Sequence, residues 1–307
     1  MLPVLLIAVL STTVIVEAAQ QTLAVLIVTK PSTSILAAPQ AKAATVTKVK
    51  LGEFLNAIEK QQNWYKVQLP NQKVGWIEAK SVREFKEDLA QQTYLDIAKY
   101  YNNELSFLHT IEYIDFLSRA IAETTAKDVL AELELTKFLA IGNAASQIEL
   151  DKANRPPYKG FLKQYEKILV YSEPGGIWLL KSDVLWQLHK KYATLGTGEK
   201  IAWAAAENPL PGECEGDLLC NLHYFRQTQG RYLALYPKGP KASGALQNLR
   251  ETLREGLSVN LQDYKLDNKE EKAETLKLLN ELIDIVSKLP FENKDVIGML
   301  RKLADSL

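Results

Sequence analysis

The spacing of hydrophobic residues divides the chain into two regions with different periods. Between Thr22 and Phe85, short β-branched runs alternate with turn residues, and no helical period lasts for more than one turn. From Asp88 onward, apolar residues recur at the i, i+3, i+4 and i+7 positions that are typical of amphipathic helices. The pattern therefore predicts a small β domain followed by a mainly α-helical domain.

Five runs in the first region predict the strands of a small β-barrel. These runs share short length and β-branched or aromatic composition, and they cover residues 24–28, 44–49, 53–58, 64–69 and 73–77. In the fourth run, the two-residue period places Tyr65 and Val67 on one face and Trp64 on the other. Gly52 offers the permissive backbone that a turn requires, and Gly75 allows a strand to bend tightly as the barrel closes.

The order of the motifs in this region resembles the bacterial SH3 (SH3b) family. The matching motifs are Pro39, Leu51-Gly52-Glu53, Trp64-Tyr65-Lys66-Val67, Pro70-Asn71-Gln72 and Gly75-Trp76-Ile77. The resemblance implies an SH3b-like barrel over residues 19–86, with a shallow groove in which peptide ligands lie. It makes Trp64, Tyr65 and Trp76 the candidate ligand-binding residues, and it implies a peptidoglycan peptide or an envelope protein as the partner.

Two features of this region leave alternatives open. The rings of Trp64, Tyr65 and Trp76 can pack the core or rim of the barrel instead of forming a ligand platform. In addition, the first loop has the sequence Ile35-Leu36-Ala37-Ala38-Pro39 and lacks the Asn and Arg that are common in the family. A polar anchor for the loop, or for a ligand carboxylate, is therefore missing.

Residues 1–18 have the pattern of a secretory signal peptide. An apolar run from Leu2 to Val16 ends in Val16-Glu17-Ala18-Ala19, which places small residues where the peptidase requires them. The run is short for a bilayer span, which needs about 20 residues. A buried core strand or helix is the alternative. The leader predicts a secreted or periplasmic protein with no membrane span after its removal.

The second region, residues 87–307, is predicted to be helical with one β-hairpin. The hairpin joins 167–171 to 177–180 through the turn Glu173-Pro174-Gly175-Gly176. Residues 184–257 contain two copies of a pattern in which a helix with a C-terminal aromatic residue is followed by a glycine loop and a second helix. This pattern resembles the tetratricopeptide-like helix pairs of periplasmic scaffolds; an ordinary helical bundle is the alternative. The polar stretch 263–274 predicts a loop or linker.

Charge and cysteine content restrict the partners and the chemistry. The 37 Lys and Arg residues balance the 37 Asp and Glu residues, so the totals give no indication of a nucleic-acid partner. In an oxidising compartment, Cys214 and Cys220 are expected to form a disulfide. With His223 they also offer three zinc ligands, but no fourth ligand lies nearby in the sequence. We therefore predict no metal and no cofactor.

The chain lacks the sequence motifs of the common wall enzymes. Neither cysteine has the setting of a papain-like nucleophile, three scattered histidines do not supply a zinc amidase site, and the hydrolase, P-loop and dinucleotide motifs are absent. The sequence therefore favours a non-enzymatic envelope binding or scaffold protein. The alternative is a cell-wall-degrading hydrolase or glycosidase with a helical catalytic domain, using acidic pairs such as Glu132 with Glu134 or Glu213 with Glu215.

Overall fold

A computed structural model of the protein describes residues 22–100, 105–258, 266 and 268–307. The chain divides into two compact units, one that ends at Asp88 and one that runs from Leu89 to Leu307. We call them the N-terminal unit and the helical unit. The predicted signal peptide, residues 1–18, lies outside the described residues.

The N-terminal unit is a seven-stranded antiparallel sheet. Its strands are β1 (Ala24–Val28), β2 (Thr33–Leu36), β3 (Thr45–Val49), β4 (Phe54–Gln61), β5 (Trp64–Gln68), β6 (Val74–Glu78) and β7 (Val82–Glu84). They are hydrogen-bonded in the order β3-β2-β6-β5-β4-β1-β7. The predicted small β domain is thus confirmed, but the sequence missed β2 and β7. With only four and three residues, these strands are too short to show an alternating pattern.

Side chains alternate between the two faces of each strand, and those that point inward form the core of this unit. The inward-facing residues are at most 6% exposed and include Leu26, Leu55, Val67 and Ile77. Gly75 lies where β6 passes β2, and a Cβ atom at this position would stand 2.3 Å from Ile35 Cγ2. Close packing of two strands therefore requires this glycine, rather than the tight bend that the sequence predicted.

The described part of the helical unit contains eleven α-helices and one β-hairpin. The helices are α1 (Ala90–Tyr100), α2 (Phe107–Glu123), α3 (Lys127–Ser146), α4 (Tyr158–Tyr165), α5 (Ser182–Tyr192), α6 (Gly198–Glu207), α7 (Leu218–Gln227), α8 (Gln229–Leu235), α9 (Ala242–Gly256), α10 (Lys269–Ser287) and α11 (Lys294–Ser306). The hairpin consists of β8 (Leu169–Ser172) and β9 (Ile177–Leu180), in agreement with the prediction. None of the helices in the described part of the chain combines the length and apolar character needed to cross a bilayer.

Helix α3 packs against α1, α2, α5 and β9. Side chains on several of its sides are buried, among them Leu133, Leu135 and Ile141, each at most 1% exposed. The backbone N–H groups of Thr125 and Ala126 donate to Gln91 Oε1 on α1 at 3.1 and 2.9 Å. A residue far away in sequence therefore satisfies donors at the start of α3, where the N-cap residue Ala126 makes no side-chain cap hydrogen bond.

The polar stretch 263–274 is only partly a loop. Helix α10 begins at Lys269, and the side chain of Asn268 accepts hydrogen bonds from the backbone N–H groups of Glu270 and Glu271. Acidic residues in the first turn of a helix interact favourably with its dipole, so the charged composition here is that of a helix start. Residues 263–265 and 267 lie outside the described part of the chain.

The predicted helix-pair repeat covers α5 to α9. The first copy corresponds to α5 and α6 and the second to α8 and α9, with α7 between them. The likeness of these pairs to tetratricopeptide-like scaffolds stays a prediction.

Candidate functional site

Two tryptophans lie on one outer face of the N-terminal sheet. Trp64 on β5 and Trp76 on β6 are both half-buried, while Tyr65 and Ile77, the residues that follow them, point into the core. In the register of these strands, Trp64 is opposite Glu78 and Lys66 is opposite Trp76. Trp64 and Trp76 are therefore diagonal neighbours, a relation in which positions lie about 7–8 Å apart and large side chains can meet.

On this face, Lys66 is the next residue after Trp64 along β5, and it is directly opposite Trp76 on β6. Its Nζ atom is 5.8 Å from the ring centroid of Trp76 and 3.5 Å from Glu59 Oε2. The nearby carboxylate offsets the lysine charge, so this face offers aromatic area rather than a strong positive field. We call Trp64, Lys66 and Trp76 the tryptophan face; the sequence placed Lys66 beside Trp64 but did not identify it as part of a site.

Tyr65 does not lie on the tryptophan face. It points to the opposite side of β5, is 6% exposed, and belongs to the core of the unit. Its hydroxyl group donates to Glu84 Oε1 at 2.8 Å, and Lys60 Nζ lies 4.7 Å from its ring centroid. Of the three ring residues that the sequence singled out, the structure places Trp64 and Trp76 on one face of the sheet and Tyr65 in the core.

The loop that follows β2 begins next to Trp76. Leu36, the last residue of β2, pairs with Trp76, and the backbone N–H of Ala37 donates to Ala44 O at 2.8 Å. The loop 37–44, which contains Pro39, is thus closed at its base and adjoins the tryptophan face. Leu36 and Ala37, which belong to the stretch that lacks the family's Asn and Arg, occupy this junction, so these two positions supply no charged side chain there.

The two cysteines of the helical unit are joined. Cys214 and Cys220 form a disulfide with an S–S distance of 2.04 Å, and Asp217 caps α7 by accepting from the backbone N–H of Cys220 at 2.6 Å. His223, the third residue of the alternative zinc set, is exposed on α7. Within the described residues, no group of three or more His, Cys, Asp and Glu side chains is arranged to hold a metal ion.

The acidic pair Glu132 and Glu134 on α3 is engaged in ion pairs. Glu134 binds Lys191 at the end of α5 with an N–O distance of 2.8 Å, and Glu132 binds Lys200 on α6. Both carboxylates are mostly buried, with 20% and 19% of their side chains exposed. These ion pairs connect α3 to the α5–α6 pair, so both glutamates have a structural role.

Comparison with known proteins identifies one family. Residues 31–83 match the family model described as the bacterial SH3 domain, and no curated protein matches the chain. The matched segment contains Trp64 and Trp76 and ends before the helical unit. The resemblance predicted from the sequence is therefore confirmed: the N-terminal unit of this protein carries a bacterial SH3 domain.

Proposed function

We propose that the protein is a secreted or periplasmic binding protein whose SH3 domain binds a cell-wall peptide through Trp64 and Trp76. The observation that carries this proposal is the tryptophan face within a segment that matches bacterial SH3 domains. Such domains are modules that bind peptidoglycan or proteins, so a protein tail of the envelope is the second kind of partner to be tested.

The physical basis is the exposed aromatic area on a rigid sheet. A half-buried indole presents a flat apolar surface and one N–H donor, and it loses little conformational entropy when a ligand covers it. Aromatic residues of this kind supply a large part of the binding energy in many interfaces. Because the β5–β6 register makes the two residues diagonal neighbours on one face, an extended peptide can contact both rings.

The contacts made by the cysteines and by two of the candidate catalytic glutamates also support a binding role. Both cysteines are consumed by the disulfide, and the Glu132 and Glu134 carboxylates hold lysines. A disulfide is typical of oxidising compartments, and it is compatible with an extracellular or envelope protein. We therefore place the protein outside the cytoplasm and assign no reaction to it.

Sedimentation with purified peptidoglycan tests the proposal on the full chain. Trp76→Ala is expected to weaken retention about tenfold, since a central aromatic contact contributes more than about 1.4 kcal/mol. Phe54→Ala is the matched control, because Phe54 is an exposed aromatic residue, 45% accessible, that packs on Phe85 on another part of the sheet. Circular dichroism establishes that both variants are folded.

Three outcomes would overturn parts of the proposal. Equal retention of the wild-type protein and folded Trp76→Ala removes the tryptophan face from the wall contact. Absence of retention by peptidoglycan, together with capture of an envelope protein that Trp76→Ala does not capture, identifies the protein tail as the ligand. Release of soluble wall fragments by the purified protein replaces binding with hydrolysis.

A further inference from the structure

A groove of about 790 Å³ lies between α5 and the α7–α8 pair of the helical unit. One stripe of α5 lines it with Asp183, Trp186, Gln187 and Lys190, which follow the i, i+3, i+4, i+7 spacing of a single helical face. The other wall includes Arg231 and the apolar pair Ala234 and Leu235 on α8. Basic side chains therefore outnumber acidic ones in the lining.

A break in the helix brings two arginines to this groove. On one continuous helix, residues five positions apart point about 140° away from each other. Here Arg226 on α7 and Arg231 on α8 both line the groove because the chain bends at Thr228, whose φ and ψ angles are −109° and −101°. Gly230 permits the bend, since a Cβ atom there would lie 2.9 Å from the carbonyl oxygen of Phe225.

The guanidinium group of Arg231 lies over the indole of Trp186. Its Cζ atom is 4.2 Å from the ring centroid, while the ring itself is only 5% exposed. Arg231 is exposed and has no acidic partner among the residues that the structure describes, and the same is true of Lys190. Arg226, in contrast, donates to Glu281 Oε2 at 2.9 Å. The groove thus holds two cations that are not neutralised by the described part of the chain.

The surroundings of Arg231 make this positive charge costly. Desolvation of its guanidinium group by the surrounding side chains, and after it the like charge of Arg226, lowers the pKa of Arg231. His189, which also lines the groove, has its pKa lowered by burial and then by Arg231. The ring of His189 is held by Tyr236, with 2.8 Å between Nε2 and the hydroxyl oxygen. A carboxylate in the plane of the guanidinium, at its N–H edge, would relieve the unfavourable charge, because arginine binds carboxylates through two parallel hydrogen bonds.

We propose that this groove binds an acidic peptide segment, with a carboxylate paired to Arg231 and Lys190 and an apolar side chain against Leu235. Leu235, which lies beside Ala234 in the lining, is 47% exposed and offers an apolar contact. A simple anion uses only the cations, whereas a peptide with alternating acidic and apolar residues also covers this leucine. The site is in the helical unit and does not depend on the function proposed for the SH3 domain.

Fluorescence anisotropy on the full chain tests the proposal with a labelled peptide in which Glu and Leu alternate, separated by Ser. The control peptide has Gln in place of each Glu. We expect the acidic peptide to bind at least tenfold more tightly, because hydrogen bonds between charged groups are stronger than those to a neutral amide. An increase in salt from about 0.1 M to about 1 M shortens the Debye length from about 10 Å to about 3 Å and should remove most of this preference.

Three substitutions locate the binding. Arg231→Gln should weaken binding of the acidic peptide about tenfold. Lys190→Gln should weaken it about threefold and leave the fold intact, since Lys190 is exposed and makes no hydrogen bond or ion pair with the described residues. Arg301→Gln on α11 is the matched control, because Arg301 is an exposed arginine without an acidic partner in the described residues.

The proposal is overturned if the two peptides bind equally, or if Lys190→Gln and Arg231→Gln behave like Arg301→Gln. Complete displacement of the acidic peptide by inorganic phosphate alone, at a concentration where sodium chloride of equal ionic strength has no effect, overturns the peptide assignment. That result would identify a site for small anions instead.

Discussion

The two units each combine a tryptophan with a basic side chain, but in opposite ways. In the SH3 domain, the ring of Trp76 is half-exposed, and Lys66 is offset by Glu59 at 3.5 Å. In the helical unit, the ring of Trp186 is 5% exposed and lies beneath Arg231, which has no acidic partner in the described chain. The first pair presents an aromatic surface, and the second presents a charge.

This difference indicates how the same residue types serve two kinds of ligand. Where the cation is neutralised and the ring is accessible, contact with a ligand depends on burial of apolar area and changes little with salt. Where the ring supports an unpaired guanidinium, contact depends on charge and is screened by salt. The comparison therefore predicts two binding activities with different salt dependence in one chain.

The largest difference that we expect is in the stability lost when each of the two tryptophans is replaced by alanine. Trp186→Ala should lower the free energy of unfolding of the helical unit by about 3–5 kcal/mol, because it empties a buried site. Trp76→Ala should cost the SH3 domain no more than about 1–2 kcal/mol, since its ring is half-exposed. Thermal and denaturant unfolding, followed by circular dichroism, measures both. Equal costs would mean that the two rings have the same structural role.

The disulfide provides the next largest effect. Replacement of Cys214 and Cys220 by serine should lower the stability of the helical unit by about 2 kcal/mol, as expected for a short closed loop. Asp217 continues to cap α7 in this variant, so the loss isolates the covalent bond. Thiol titration of the denatured, unreduced protein should detect no free thiols. Detection of two would contradict the bridge.

Tyr65 gives a smaller effect that tests the boundary of the tryptophan face. Tyr65→Phe removes the hydrogen bond to Glu84 and should cost about 1 kcal/mol of stability without changing retention by peptidoglycan. Trp76→Ala should have the opposite profile. Loss of retention in folded Tyr65→Phe would mean that Tyr65 contacts the ligand, as the sequence predicted.

The smallest effect concerns acid stability of the helical unit. Burial, followed by Arg231, lowers the pKa of His189 below its ordinary value of 6.5. The unfolded chain then takes up a proton that the folded unit does not, so stability is lost as the pH falls below about 6.5. His189→Gln should weaken this pH dependence, whereas His223→Gln, a change at an exposed position, should not. The same acid sensitivity in all three proteins would exclude His189 as its source.

The parts of the structure that sequence predicted well depend on local patterns. Alternation in the run 64–69 separated Trp64 from Tyr65, and the Pro-Gly-Gly turn located the hairpin. The parts that were missed depend on contacts between distant segments. Gln91, on another helix, accepts hydrogen bonds from backbone N–H groups at the start of α3. Arg231 contacts Trp186 only because α8 lies near α5 after the bend at Thr228. A polar stripe on α5 and the glycine at position 230 were the only local signals of the groove.

Retention by purified peptidoglycan, compared between wild type, Trp76→Ala and Arg231→Gln at low and high salt, decides whether the tryptophan face binds the cell wall. We expect Trp76→Ala to lose most of the retention and Arg231→Gln to keep it, and we expect wild-type retention to persist at high salt. Retention that is lost in Arg231→Gln and at high salt, but unchanged in Trp76→Ala, would contradict the assignment of wall binding to the tryptophan face.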